Sequence, residues 1–177
     1  SGACLAWATR ANSSIDPVEG VNRVFFADSA GRTGRICWEL GKVLELAPSR
    51  IRNATIFNQL LFWDMQSSPT YMNGITTAQL KKCLRKLSSL DTQLQRADPG
   101  CDDGAMVKAE LHNAIAMASH GVDRYLIYHG KIRSKKPVAD LRRIISRHDE
   151  LWLARNRPGG LKESSARLQA SLSSLRA

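Results

Sequence analysis

The sequence predicts an all-α bundle of about five to seven helices with short loops and no significant sheet. Apolar residues recur at three- and four-residue steps through most of the 177 residues, which is the spacing of a helix with one buried face. No segment alternates apolar and polar residues between hairpin turns, so the strand signal is close to absent. We predict a single domain over residues 16–177, and we interpret residues 1–15 as a linker or the tail of a preceding domain.

Two helices are predicted before residue 50. Asp16–Glu19 supplies an N-cap acceptor, a proline at the first helical position and a glutamate three residues after the cap, and together these mark a helix start. The apolar side of this helix is formed by Val18, Val21, Val24 and Phe25. A second helical pattern runs from Ile36 to Ala47, and Pro48 ends it because proline cannot continue a helix.

Capping signals place the next two helices. Asn53 or Thr55 can cap a short helix, since both side chains accept hydrogen bonds from helix N–H groups. Residues 64–75 contain Ser67-Ser68-Pro69 and Asn73-Gly74 and are predicted to form a loop. Thr76–Gln79 fits a capping box ahead of a leucine-rich stripe. This helix is predicted to stop at Asp98–Gly100.

Three more helices follow in the C-terminal part. Asp103 is predicted to cap a long helix that ends near Gly130, and Pro137 opens the next one. Pro158–Gly160 breaks that pattern, because proline and glycine interrupt helical geometry. Leucines at helical spacing then continue over residues 161–175, so the chain is predicted to close with an α-helical hairpin.

The net charge of +10 is concentrated in the C-terminal part of the chain, where residues 77–177 carry nineteen basic and ten acidic groups. The densest basic region is 131–147, and such clusters can bind phosphate backbones. A solvated helix face and connector is the favoured interpretation. No aromatic residues that could stack bases are interleaved with these charges, so nucleic acid is not the expected partner.

Cysteine and hydropathy patterns bear on the compartment. The four cysteines, Cys4, Cys37, Cys83 and Cys101, lack metal-ligand spacing. We expect reduced thiols, which favours a reducing compartment such as the cytoplasm. No run approaches the roughly 20 apolar residues of a membrane helix, and no signal-peptide pattern opens the chain. We therefore expect no membrane association.

No motif for a cofactor, a metal or a catalytic group is found, and none is expected to bind or act in this chain. His112 and His120 are eight residues apart on about the same helix face, but single helix histidines are more often packed or solvated than ligands. Two adjacent acid pairs, Asp102-Asp103 and Asp149-Glu150, resemble in composition the two-carboxylate sites of glycosidases. Capping explains the first pair, and mid-helix neighbours point about 100° apart in the second.

The clearest candidate contact site is Trp152, Arg155, Asn156 and Arg157. The phase of Trp152 favours burial, although an indole face could also stack on a sugar ring. Arg155, Asn156 and Arg157 lie at a predicted helix C-terminus, where they can cap free carbonyls and favour the helix dipole. The same geometry could direct two guanidinium groups at a carboxylate or polar group of a neighbouring domain. The sequence is compatible with both interpretations.

A family resemblance is carried by the run Leu-Trp-Leu-Ala-Arg-Asn-Arg-Pro-Gly-Gly-Leu over Leu151–Leu161, continuing through Leu168. It resembles the C-terminal helical region of a subset of family 20 glycoside hydrolases, the β-N-acetylhexosaminidase-like enzymes. Matching stretches occur in the same order earlier in the chain, and together they cover most of residues 20–175. They are Val24–Phe26, Gly34-Arg35, Trp38–Val43, Leu61-Phe62 and Gly74–Thr76.

The resemblance implies an accessory role in carbohydrate metabolism. Enzymes of this family act through a (β/α)-barrel with an adjacent Asp-Glu pair, and such a barrel needs about 250 residues. The expectation is therefore a non-catalytic domain that supports the catalytic barrel, mediates homodimerisation or lies at the rim of the substrate cleft. The barrel domain would be its partner. The alternatives are a free-standing basic module that binds nucleic acid or another polyanion, or a helical protein–protein scaffold.

Overall fold

The computed structural model describes residues 13–49, 51, 53–65, 67, 70–133 and 137–175. These residues contain seven α-helices and no strand, which confirms the predicted all-α bundle. The helices are α1 (Pro17–Val21), α2 (Arg32–Lys42), α3 (Ile56–Leu61), α4 (Thr77–Gln95), α5 (Gly104–Tyr128), α6 (Pro137–Arg155) and α7 (Leu161–Ser174). A π-helical turn (Asn22–Phe26) and two 3₁₀ turns (Val43–Leu46 and Thr70–Met72) complete the secondary structure. Most of the predicted linker over residues 1–15 lies outside the described residues.

Local capping signals are confirmed where donor and acceptor are close in sequence. The Asp16 carboxylate accepts the N–H of Val18 at 2.8 Å. Thr55, and not Asn53, caps α3, with its hydroxyl 3.2 Å from the N–H of Asn58. The capping box that begins at Thr76 is complete in both directions. Each of these bonds satisfies a backbone group that the helix itself leaves unpaired.

The predicted apolar side of the first helix does not continue beyond Val21. Val18 is buried, but the side chains of Val24 and Phe25 are 75% and 68% exposed. The α-helical geometry gives way to the π-helical turn at Asn22, and a wider turn changes the angular position of the residues that follow. The prediction was therefore wrong for Val24 and Phe25, which face outward.

Helix α5 is the centre of the bundle and packs against α3, α4 and α6. One apolar cluster joins α5 to α2 and α4 through buried residues such as Ile36, Leu87 and Val122. A second cluster joins α3 to α6 and α7 through residues such as Leu141 and Leu168. Within the described residues, no helix combines the length and hydropathy needed to cross a bilayer.

The described thiols are unpaired. Cys37, Cys83 and Cys101 are free, and Cys83 is completely buried in the apolar cluster between α2, α4 and α5. Burial raises the pKa of the Cys83 thiol above its usual value, so it behaves as a small apolar side chain. Cys4 lies outside the described part of the chain.

Arg124 is a charged side chain inside the bundle, with only 1% of its surface exposed. Its Nη1 donates to the carbonyls of Leu60 and Leu61 at 3.3 and 2.7 Å. Its Nη2 donates to the carbonyl of Trp63 and to the hydroxyl of Ser174, both at 2.9 Å. The guanidinium thus caps the C-terminal end of α3, where the helix dipole is negative and the carbonyls have no intrahelical partner.

Gly121 allows α3 and α5 to approach closely. A Cβ atom at this position would lie 2.8 Å from the backbone nitrogen of Leu61 and 2.9 Å from the carbonyl oxygen of Phe57. Both atoms belong to the backbone of α3 and cannot move aside as a flexible side chain would. Helix α3 is therefore held against α5 at the contact that brings its last carbonyls within reach of Arg124.

We expect the Arg124→Met substitution to lower the free energy of unfolding by about 3 kcal/mol, because buried carbonyls lose their donors. Methionine retains much of the apolar stem, so the loss reports on the guanidinium. Urea unfolding followed by circular dichroism measures it. Arg142→Met is the matched control, since Arg142 is exposed on α6. Equal stability of the two variants would contradict a structural role for the buried guanidinium.

Candidate functional site

The corner between α6 and α7 contains all four residues that the sequence singled out. Helix α6 ends at Arg155 and α7 begins at Leu161. The indole Nε1 of Trp152 donates to the carbonyl of Arg157 at 3.1 Å. The backbone N–H and the side-chain amide of Asn156 donate to the carbonyl of Trp152 at 2.7 and 3.3 Å. Asn156 therefore caps a carbonyl at the end of α6, as one of the two sequence interpretations predicts.

Trp152 is partly buried and packs against the turn that follows it. Gly160 has a φ of +83°, and a Cβ atom there would lie 3.3 Å from Cζ2 of the indole. The ring centroid of His148 lies 5.9 Å from that of Trp152. The glycine is required both by its left-handed backbone and by the closeness of the indole.

Arg155 is held by carboxylates of its own chain. Its Nε and Nη2 donate to the two carboxylate oxygens of Glu110 at 2.8 and 2.9 Å, a bidentate pair. Its Nη1 donates to Asp103. Hydrogen bonds from Arg155 and Cys101 hold the pKa of Asp103 below its usual value. Arg155 therefore ties the end of α6 to the start of α5 and is not a free group for an outside partner.

The side chain of Asp103 does not cap α5 as predicted. Asp103 occupies the N-cap position, but its side chain makes no capping hydrogen bond. The carboxylate is directed to Arg155, which lies 52 residues further along the chain. An ion pair between two helices has replaced the expected local bond, and the sequence around Asp103 gives no signal of it.

The two carboxylates of the second acid pair, Asp149 and Glu150, make different contacts. Asp149 accepts a hydrogen bond from the hydroxyl of Ser165 on α7. Glu150 accepts from the Ser146 hydroxyl at 3.2 Å and from Arg147 at 3.1 Å, both on its own helix. The first carboxylate joins α6 to α7, while the second stays on the surface of α6.

A small pocket lies beside the corner. It has a volume of about 240 Å³ and is lined by polar and apolar residues of α5 and α6. The polar and aromatic members are Glu110, Asn113, His148, Trp152 and Asn156. Arg157 is exposed, and 52% of the surface of Leu153 is exposed to solvent. The corner therefore presents an exposed arginine, Arg157, whose side chain forms no ion pair with a described residue, and an exposed leucine, Leu153.

A larger groove of about 430 Å³ runs between α5 and α6 and is lined by both histidines that share a helix face in the sequence. His112 Nδ1 lies 2.6 Å from Oδ1 of Asp91 on α4. His120 is only 5% exposed, and its Nε2 has no hydrogen-bond partner among the described residues. Burial, together with the charge of Arg124, lowers the pKa of His120 to about 4. No cluster of three or more metal-ligand side chains occurs in the described ranges.

The groove also brings together two carboxylates that the sequence analysis did not single out. Asp123 on α5 and Asp140 on α6 both line it. Burial, with a further contribution from the charge of Asp140, raises the pKa of Asp123 to about 6. Arg143 forms an ion pair with Asp140, whereas Asp123 makes no hydrogen bond or ion pair with any described residue. This proximity follows from the packing of α5 against α6, which the sequence of neither helix shows.

Comparisons with protein-family models, with curated proteins and with solved structures find no match to this chain.

We expect Gly160→Ala to destabilise the protein by about 1 kcal/mol, because alanine is strained at positive φ. The methyl group would also press on the Trp152 indole. Gly159→Ala is the matched control, since nothing lies within 4 Å of a Cβ atom there and its φ is not positive. Urea denaturation of both variants measures the difference. If Gly159→Ala were the more harmful change, the described packing of the corner would be wrong.

We expect Asp123→Asn to stabilise the protein above pH 6 and to have little effect near pH 4. The folded-state pKa of about 6 exceeds the unfolded value of about 3.9, so the native state binds more protons between these values. Wild-type stability attributable to Asp123 therefore falls as pH rises from 4 to 6. Asparagine removes this loss, a gain of about 3 kcal/mol at neutral pH.

The free energy of unfolding is compared between variant and wild type at each pH, because His120 makes stability rise with pH whereas Asp123 makes it fall. The pKa of His120 is lowered to about 4, so its contribution is lost as pH falls below the unfolded value of about 6.5. Subtracting the two curves removes that shared term. Asp102→Asn changes the charge equally at an exposed position. A pH-independent difference between Asp123→Asn and wild type would contradict the raised pKa.

Proposed function

We propose that this chain is a non-catalytic helical accessory domain of a β-N-acetylhexosaminidase-like glycoside hydrolase, and that its α6–α7 corner packs against the catalytic barrel. The observation that carries the proposal is the construction of the corner. Trp152, Arg155 and Asn156 are used to fix its shape, while Arg157 and Leu153 face outward. The resemblance of Leu151–Leu161 to the family supplies the identity of the partner.

A corner that is already ordered favours docking. Arg155 is held by Glu110 and Asp103, and the Trp152 indole is hydrogen-bonded to the chain that follows it. Binding to a preformed surface requires little ordering of loops and side chains, so more of the contact energy appears as affinity. Arginine and aromatic residues are also enriched at protein interfaces. Arg157 is the group best placed to pair with a barrel carboxylate.

The local partners of the acidic residues support a non-catalytic role. Asp103 and Asp149 bind Arg155 and Ser165, respectively, and thereby hold helices together. Asp123 and Asp140 line one groove, and Arg143 forms an ion pair with Asp140. Because Asp123 has the raised pKa of a general acid, it would be the first residue to test if the chain alone showed turnover.

A basic module that binds nucleic acid is the second candidate, favoured by the exposed cations Lys131, Arg133 and Arg142. Two neighbouring arginines are already paired on their own helix, Arg143 with Asp140 and Arg147 with Glu150. Internal pairing lowers the charge available to phosphates. Salt-dependent binding of a duplex oligonucleotide would favour this candidate over the accessory domain.

We expect Leu153→Asp with Arg157→Glu in the full-length gene product to lower kcat/KM for a chromogenic N-acetyl-β-glucosaminide by roughly tenfold, the effect of about 1.4 kcal/mol. The reason is the loss of support for the barrel at the corner. Steady-state kinetics and thermal unfolding of the same preparations measure it. Lys162→Glu is the control, since it adds negative charge at an exposed position on α7.

Two results would contradict the proposal. One is unchanged turnover and unchanged thermal stability in the double variant, since a docked corner cannot be altered without consequence. The other is hydrolysis of the same substrate by the isolated 177-residue chain, which would make the chain itself catalytic.

A further inference from the structure

Helices α2 and α4 bring basic residues from two separate segments of the chain to one surface. The Nζ of Lys86 donates to Glu39 at 2.7 Å, and the Nη1 of Arg32 donates to the carbonyl of Arg96 at 2.8 Å. The start of α2 therefore lies beside the end of α4, and the two helices are antiparallel. The α2–α4 surface is defined by one tryptophan and five basic residues, all of them exposed: Arg32, Arg35, Trp38, Lys42, Lys82 and Arg85.

Two grooves follow this surface. The first has a volume of about 540 Å³ and is lined by Lys42, Lys82 and Arg85. The second has a volume of about 580 Å³, lies at the start of α2 and is lined by Arg32 and Arg35. Arg32 and Lys42 lie at the two ends of α2, about 15 Å apart along its axis. The basic side chains therefore form a line along the helix pair, which suits an extended anionic polymer.

Acidic side chains reduce the positive charge of this surface without cancelling it. Seven basic and four acidic side chains line the two grooves. Glu39 is paired with Lys86, and the hydrogen bond and charge of Lys86, with the charges of two further cations, lower the pKa of Glu39. Asp16 caps α1, while Glu19 and Glu45 each line one groove. The remaining excess of positive charge is complementary to phosphate groups.

We propose that the α2–α4 surface binds a single-stranded nucleic acid, with its phosphates along the basic side chains and one base against Trp38. Trp38 is 42% exposed, and it lies one helical turn from Arg35 and Lys42 on the same face of α2. The Nζ of Lys42 is 5.1 Å from the centroid of the indole. A nucleotide can therefore present its base to the ring and its phosphate to an adjacent cation, as in other single-strand-binding surfaces.

The dimensions and chemistry of the surface favour a single strand over a duplex or a lipid surface. Its length of about 15 Å accommodates roughly four nucleotides, at 3.4 Å or more per nucleotide. In a duplex the bases are stacked on each other, so none is free to lie against Trp38. A lipid surface is bound by apolar side chains that insert beside the cations, and Trp38 is the one apolar member of this set. The set shares no residue with the α6–α7 corner or with region 131–147, so binding here does not depend on the proposed accessory function.

The test is fluorescence anisotropy of a labelled oligothymidylate of about ten nucleotides, titrated with the chain at several salt concentrations. Saturable binding is expected at about 25 mM salt, with log K falling by about three per tenfold rise in salt, the slope for roughly four neutralised phosphates. A base-free strand of the same length should bind roughly tenfold more weakly, because it has no base to stack on the indole.

Variants decide whether this surface is responsible. Lys82→Glu with Arg85→Glu should weaken binding by roughly tenfold or more and make the salt dependence shallower, because two phosphate contacts are lost. Arg133→Glu with Arg142→Glu is the matched control, since it changes the net charge equally at exposed positions outside the surface and should weaken binding far less. Trp38→Leu should weaken binding roughly tenfold with an unchanged salt dependence. Circular dichroism of each variant verifies folding.

The proposal is overturned by any of the following results. Equal losses of affinity in the two double variants would show attraction to net charge alone. Equal affinity for the base-free strand, or unchanged binding by Trp38→Leu, would exclude stacking on the indole. Absence of saturable oligonucleotide binding at low salt, or binding only to phosphatidylserine vesicles, would exclude a nucleic acid as the occupant of this surface.

Discussion

The fold depends on the burial of one guanidinium among the backbone carbonyls of a neighbouring helix. Arg124 reaches from α5 to the end of α3 and also binds Ser174 on α7. Helix α3 has six residues, too few to be stable by itself in water. A buried charge whose donors lost their acceptors would cost several kcal/mol. The three helices are therefore fixed relative to one another, because separating any of them leaves Arg124 with donors unpaired.

The antiparallel pairing of α5 and α6 generates both polar surfaces. At one end, the start of α5 meets the end of α6, and this brings Glu110 and Asp103 to Arg155. At the other end, the same register places Asp123 near Asp140. Unlike charges meet at the corner, and like charges meet in the groove. The register is fixed by the apolar residues between these ends and by the ion pairs at the corner. Asp123 therefore lies near Asp140.

Sequence reasoning succeeded where the relevant partner is within one helical turn. The capping box at Thr76 uses donor and acceptor groups only three residues apart, and proline at residue 137 marks a helix start by its own geometry. The prediction failed for Asp103 because the competing partner, Arg155, is remote in sequence. It was wrong for Val24 and Phe25 because a π-helical turn alters the helical phase. Hydrophobic periodicity assumes a constant helical phase, so it cannot predict the position of a π-helical turn.

The candidate site was predictable in part for the same reason. The run Leu151–Leu161 identified the corner, and helical spacing placed His112 and His120 on one face, where both line the groove. The burial of Arg124 could not be predicted, because an arginine among apolar residues cannot be distinguished from a solvated arginine until its acceptors are known. Asp123 and Asp140 belong to different helices, so their proximity is a property of helix register and not of either segment.

The corner and the groove differ in how their charged groups are satisfied. At the corner, Arg155 is fully paired, and its ion pairs serve the fold. In the groove, Asp123 forms no ion pair with a described residue, although a neutral residue of similar shape would remove the repulsion from Asp140. Groups that work against stability without a structural return are concentrated at functional sites, because binding or chemistry requires them. Asp123 fits this pattern, because burial and the charge of Asp140 disfavour its carboxylate form, and no described residue forms an ion pair that would offset this cost.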